Sequence, residues 1–265
     1  MRGVVKKVAE PLSVGVRMAN NLQIGERVFV PVSKLKANIQ SPSSFVEKEV
    51  LAIEARSIRV DVGGGETELI ASSLCHRNIG ILLLNIGDLE TETTLLDPLS
   101  KSILQFCRLL VSDDFIHTFK VRSLSEIEVL WGRAHAAYSH VILVGHGSEA
   151  SIKFANGGWI ETDDFMNAFD VAGVSQKTFI SLCCETGYKA FGGAASAHAS
   201  CERFIGPFHS VHGAIASQFV QTFLAFHLLE GETSKVAFKH ARSSVPGSTS
   251  FRLWKDKKLV AGPKS

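Results

Sequence analysis

Along residues 1–78 apolar and polar positions alternate in short runs. Arg27-Val28-Phe29-Val30-Pro31-Val32, Val50-Leu51-Ala52-Ile53 and Ser57-Ile58-Arg59-Val60-Asp61-Val62 are separated by turn-formers at Gly25, Pro42 to Ser44 and Gly63-Gly64-Gly65. A period of two is that of a half-buried strand, and no helical period of comparable length competes with it. Residues 1–78 are therefore expected to form a small all-β module, a barrel or a sandwich. Its triple glycine is not followed by the Lys-Ser/Thr pair and helix start of a phosphate loop, so it reads as a hairpin turn.

From about residue 79 the rhythm changes. Ile81-Leu82-Leu83-Leu84-Asn85-Ile86 is the near-continuous apolar run of a strand buried on both faces, ending at Gly87-Asp88. Asp97 and Pro98 open a helix carrying Leu99, Ile103, Phe106 and Leu110 at helical spacing. A strand around Phe115 to Val121 leads to the capping box Ser123-Leu124-Ser125-Glu126 and a second amphipathic helix. Next come a strand at Val141 to Val144, a hairpin turning at Ala155 to Gly158, a short helix capped by Thr162, and a strand at Thr178 to Leu182. A strand near Arg203 to Ile205, helices around 213–230 and 233–243 and a last strand at Phe251 to Trp254 close residues 79–265. Alternating strands and crossover helices imply an α/β domain with a mainly parallel sheet and helices on both faces.

Composition narrows the function classes. A hydrophobic content of 45%, a charged content of 20% and a net charge of +2 describe a globular protein with no pronounced pull toward nucleic acid. The basic cluster Lys255, Lys257 and Lys258 reads as a solvated tail. Gly213 to Leu229 is interrupted by Ser217, Gln218, Gln221, Thr222 and His227, too polar and too short for a membrane span. Near the start, Arg2, Lys6 and Lys7 precede Val8-Ala9-Glu10-Pro11 rather than the apolar stretch of a secretory signal. The five cysteines, Cys75, Cys107, Cys183, Cys184 and Cys201, form an odd set without a regular framework, as expected of free thiols in a reducing, cytoplasmic compartment.

The chemistry gathers at two strand ends. The run Val141 to Val144 stops at Gly145-His146-Gly147-Ser148, and Thr178 to Leu182 stops at Cys183-Cys184-Glu185-Thr186-Gly187. Side chains at the carboxyl ends of parallel strands line the crevice where ligands bind, so an imidazole and a thiol placed there can meet. Alternation sends Cys183 to the opposite face from its neighbour, which makes Cys184 the expected nucleophile and Cys183 its competitor. Cys184 is expected at a helix start, where N–H groups and the helix dipole favour thiolate. His146 would serve as general acid and base, and the N–H groups of Gly147 and Cys184 as an oxyanion hole.

The segments around His146-Gly147 and Cys184-Glu185-Thr186-Gly187 resemble the His-Gly and Cys-x-Ser/Thr-Gly motifs of caspase-like cysteine peptidases, and most closely the prokaryotic CHAT branch. The hairpin and short helix from Ser151 to Phe165, and Gly231 to Arg242, extend the resemblance, which covers about residues 79–254. It implies a caspase-like fold and an endopeptidase acting on protein substrates, with a role in bacterial defence or programmed cell death. It also implies switching by an activating or inhibitory partner or a ligand. Gly187 to Ser200 has the small-residue composition of a mobile segment, or else of a helix packed closely on the sheet.

Leu182 stands where metacaspases carry an acid supporting a basic P1 residue, so that preference does not transfer. Asp88 is a candidate substitute in the substrate pocket; a capping or turn role is its structural alternative. No cofactor or metal is expected, since there is no CxxC pair and only His198 with Cys201 has short ligand spacing. Gly145 to Glu149 also lacks the Gly-x-Ser-x-Gly spacing of a serine hydrolase. The rival to a peptidase is a non-catalytic scaffold that holds a peptide or partner protein in the same crevice.

Overall fold

The computed structural model describes residues 22–39, 41, 43–88 and 90–264. The N-terminal charges and the segment after them, with Pro42 of the second turn cluster, lie outside the described residues. Four antiparallel strands, β1 (Arg27–Pro31), β2 (Phe45–Glu54), β3 (Ser57–Gly63) and β4 (Glu66–Ala71), form one sheet in the order β1-β2-β3-β4. Their inward positions, Val28, Val30, Val50, Ile58, Val60 and Ile70, make a separate small core. Gly63, Gly64 and Gly65 all have positive φ and form the β3–β4 turn, as the missing phosphate-loop partners suggested.

The second sheet holds nine strands. In chain order its elements are β5 (Ile81–Ile86), α1 (Asp97–Leu110), β6 (Ile116–Val121), α2 (Leu124–Ala134), β7 (His140–Gly147), β8 (Ser151–Phe154), β9 (Gly158–Glu161) and α3 (Thr162–Asn167). They continue with β10 (Lys177–Ser181), β11 (Cys201–Pro207), α4 (Gly213–Leu224), α5 (Ser234–Ser244), β12 (Phe251–Lys255) and β13 (Lys258–Ala261). The strand order is β13-β12-β11-β10-β7-β5-β6, with the β8–β9 hairpin attached to β7. The five strands β11, β10, β7, β5 and β6 run parallel, and the remainder add antiparallel.

Alternation along the central strands feeds two cores. Ile81, Leu83, Ile142, Val144 and Ile180 pack with Leu99, Ile103, Phe219 and Phe238 on the face covered by α1, α4 and α5. Leu82, Leu84, Val141, Leu143 and Phe179 pack with Ile127, Trp131 and Phe165 on the face covered by α2 and α3. This double burial is why β5 and β7 read as near-continuous apolar runs. Among the described residues, no helix is long and apolar enough to cross a membrane.

Several features depart from the sequence expectation. A π-type turn at Glu92–Leu96 runs directly into α1, so Asp97 lies within the helical run and caps nothing; Ser123 makes no side-chain cap on α2, although Glu126 accepts the Arg122 N–H; and Thr162 is the first residue of α3 rather than its cap. Lys255 and Lys258 belong to strands, and Asp256 and Lys257 form the left-handed turn of the β12–β13 hairpin rather than part of a solvated tail. Gly187 to Ser200 is packed: a π-type turn at Lys189–Gly193 buries Phe191, and Ser196 anchors the β12–β13 turn through its carbonyl and hydroxyl. Of the two readings of that stretch, the closely packed helix describes the structure.

Candidate active site

The chain passes from β5 to β6 on one side and then returns across β5 to β7. That reversal opens a crevice at the carboxyl ends of β5 and β7, the position where open α/β sheets bind ligands. Asp88 follows β5, His146 is the last residue but one of β7, and Cys184 follows β10, the other neighbour of β7. The last paired residues of β7 and β10 are Leu143 and Ser181, and His146 and Cys184 each lie three residues further on.

The backbone around Cys184 is fixed from several sides. Leu182 N–H donates to Leu143 O at 2.8 Å, after which the chain turns, with Glu185 left-handed at φ 63°. The Thr186 hydroxyl, fully buried, lies 2.8 Å from both Cys183 O and Ser181 Oγ. Gly187 N–H donates to Pro207 O at 2.7 Å, and its carbonyl accepts from Trp254 Nε1 at 2.9 Å. A Cβ on Gly187 would fall 2.5 Å from Gly206 O, so the turn approaches β11 only because this residue has no side chain. Cys184 therefore sits in a tight turn, not at the helix start expected from its sequence, because left-handed Glu185 and the tether of Gly187 to β11 both block a helix there.

Cys183 is fully buried in the second core, and burial pushes its thiol up to about 12. All five cysteines are free, and Cys184 alone is not buried. Its N–H has no acceptor among the described residues. Gly147 lies directly against this turn: a Cβ there would come within 2.6 Å of Cys184 O and 2.8 Å of Cys183 Cβ. The structure thus brings Gly147, Cys184 and His146 to one place.

His146 is held by a residue that its sequence surroundings did not reveal. Its Nε2 lies 2.6 Å from Thr91 Oγ1 and 3.7 Å from Asp88 Oδ2. The same Thr91 hydroxyl lies 2.7 Å from Asp88 Oδ1, which also accepts the Thr91 N–H at 2.9 Å. The Thr91 hydroxyl, the Thr91 N–H and Lys153, whose Nζ is 3.0 Å from Oδ2, together hold the Asp88 carboxyl well below the usual carboxylate range. An ionised carboxylate only accepts, so the single Thr91 hydroxyl proton goes to Asp88. Thr91 Oγ1 must then accept from His146 Nε2–H, which leaves Nδ1 as the unprotonated nitrogen of the neutral ring.

Asp88 is buried and engaged by Thr91 and Lys153, its Oδ1 accepting the Thr91 N–H in the turn after β5. Glu92, beside Thr91, is pinned to β6 and the residue after it by Lys120 at 2.8 Å and Arg122 at 2.6 Å. Thr91 and Lys153 carried no motif; only the register of the β7–β8 hairpin, His146 opposite Lys153, points to the second of them. No hydrogen bond joins Cys184 to His146. Among the described residues, no group of three or more His, Cys, Asp or Glu side chains is arranged to hold a metal ion. Neither a protein-family model nor a curated protein matches this sequence.

Proposed function

We propose that this chain is a cysteine endopeptidase of caspase-like architecture, working in the cytoplasm on protein substrates, with its activity in residues 79–265 and residues 1–78 as a partner-binding or targeting module. The observation that carries this reading is the Asp88–Thr91–His146 chain, which fixes the imidazole tautomer at the strand end beside Cys184. A chain that only fixed a structural histidine would have no need of an accessible cysteine and an unpaired N–H one strand away.

In the reaction, His146 Nδ1 takes the Cys184 thiol proton and the sulfur attacks the substrate carbonyl carbon. The N–H groups of Cys184 and Gly147 stabilise the oxyanion, where one donor is worth about 3 kcal/mol. The C–N bond breaks as His146 returns the proton to the departing amine, leaving a thioester. Water, deprotonated by the same imidazole, hydrolyses the thioester and restores the thiol. Thr91 keeps Nε2–H occupied throughout, so the proton moves on Nδ1 alone. The absence of a Cys184–His146 hydrogen bond fits a site that closes when a partner or ligand binds, as a defence or cell-death protease would require.

The test is to incubate wild type, Cys184→Ala, His146→Ala and Cys183→Ala with a cell lysate and candidate partners, then map new peptide N-termini. Cleavage by wild type and Cys183→Ala only is the expected result. Identical patterns from all four proteins reject the peptidase reading.

A further inference from the structure

Trp159 is 52% exposed, whereas Trp131 and Trp254 are buried. A large aromatic left in water on a short hairpin calls for an explanation, because such residues dominate recognition surfaces. The ladder sets His146 opposite Lys153, and Lys153 opposite Trp159. Residues directly opposite in antiparallel strands share a face, and neighbouring strands step by about 4.7–4.9 Å. His146, Lys153 and Trp159 therefore form one row, with Trp159 about 10 Å from His146. The ammonium between them is turned to Asp88 at 3.0 Å, so its charge is compensated inside the row.

A second exposed apolar side chain belongs to the turn that carries Thr91. Leu95 N–H donates to Thr91 O at 2.9 Å, which puts Leu95 one helical turn from the residue that holds His146. Leu95 is 41% exposed and faces Gly213 at the start of α4, where a Cβ would lie 3.6 Å from its Cδ1. The charges of Asp88 with Lys153 and of Glu92 with Lys120 and Arg122 are paired among themselves. Glu149 and Glu185, which closely follow His146 and Cys184 in the chain, both act on the Tyr188 hydroxyl, so acidic side chains also border this region.

We propose that Trp159 is a specificity-determining wall of the crevice, and that its substrates are extended segments with a bulky aromatic or aliphatic side chain two or three positions from the scissile bond. An extended chain advances about 3.3 Å per residue, so a side chain two or three positions from the reacting carbonyl reaches Trp159. The proposal rests on the peptidase reading for what happens to the bound peptide, but not for the binding itself.

The experiment titrates the Cys184→Ala protein with blocked peptides that differ at one position, Phe, Leu, Lys or Asp, following tryptophan emission and binding heat. With the other two tryptophans buried, Trp159 dominates any shift on binding. The Phe and Leu peptides should move the emission to the blue and bind about tenfold or more tightly than the Lys and Asp peptides. In calorimetry, the Cys184→Ala protein that also carries Trp159→Ala should lose this preference, and Trp159→Phe should restore most of it. In the active enzyme, Trp159→Ala should raise KM for the apolar peptides with little change in kcat. No emission shift with any peptide, or an unchanged preference in Trp159→Ala, overturns the proposal. Selective binding without Cys184-dependent cleavage by wild type rejects the peptidase reading and leaves this subsite standing.

Discussion

Thr91 and His146 are joined by a 2.6 Å contact between a hydroxyl and Nε2, and Asp88 decides its direction. Because the carboxylate takes the only hydroxyl proton, the imidazole is the donor to Thr91 and its other nitrogen is left basic. The threonine thus transmits the charge of a buried acid to a ring that the acid approaches no closer than 3.7 Å. This links three parts of the chain, the end of β5, the turn after it and the end of β7, into one proton-orienting device.

Removing the relay should lower activity without unfolding the protein. Thr91→Val keeps the side-chain shape but leaves Nε2–H without an acceptor, and should reduce kcat/KM by about tenfold to a hundredfold; Thr91→Ser should restore most of it. Asp88→Asn should also lower activity: its amide oxygen can still accept from the Thr91 N–H and hydroxyl, but the charge behind the imidazole is lost and the amide NH2 is set against Lys153 Nζ. Cleavage rates of a peptide released by wild type, measured across pH with circular dichroism as the folding control, check this. Equal rates in Thr91→Val and wild type would remove the relay from the mechanism.

Gly147→Ala should damage both stability and the site. The new Cβ would lie 2.6 Å from Cys184 O, 2.8 Å from Cys183 Cβ and 2.8 Å from Thr186 Cγ2, against atoms fixed by the β10–β11 turn. Overpacking of this kind costs about 1–3 kcal/mol. Urea denaturation should show a lower midpoint at an unchanged slope, and the residual folded protein should be inactive. A variant as stable and active as wild type would mean that the turn yields easily.

The architecture was legible where burial is two-sided or strictly alternating: β5 and β7 are near-continuous apolar runs, β10 centres on Phe179 and Ile180, and α1 and α2 carry apolar helical stripes, although neither has the side-chain cap expected of it. Strands β4 and β13 were not, because Glu66-Thr67-Glu68-Leu69 and Lys258-Leu259 lie on exposed, charged edges with few inward positions. At the site, His146, Gly147 and Cys184 stand out because each interrupts an apolar run at a strand end. Thr91 does not, since its role comes from how the Glu90 to Thr94 turn folds over β7, a long-range placement with no periodic trace. The helix start expected at Cys184 failed for a local reason: Glu185 adopts the left-handed region that sequence alone rarely assigns to a glutamate.

Selective alkylation should separate the two adjacent thiols. Cys184 is partly exposed, while burial holds Cys183, Cys75 and Cys107 up to about 12. Thiolate is the reactive form, so a brief pulse of iodoacetamide on the native protein near pH 8 should modify Cys184 first and leave the other four unmodified. Peptide mapping by mass spectrometry reads the result. Label on Cys183 at a comparable rate would show that the turn opens in solution.

Acid should weaken the fold through a histidine cluster at its opposite end. His76, which follows the four-stranded sheet, His140 at the start of β7 and His227 after α4 lie with ring centroids 6.4 Å (His76–His227) and 5.4 Å (His140–His227) apart. Burial lowers all three, His76 to about 4, and the mutual repulsion of the rings adds to the effect on His76 and His140. A histidine lowered in the folded state is protonated first in the unfolded chain, so the unfolded state binds more protons between the ordinary value near ~6.5 and the folded value. Stability is therefore full above that window and falls as pH drops through it, with His76 contributing at most about 3 kcal/mol. Urea midpoints measured from pH 7.5 to 5 should fall steadily, and His76→Gln, which cannot charge, should flatten the slope. An identical pH dependence in that variant would show that His76 titrates as freely in the folded protein as in the unfolded chain.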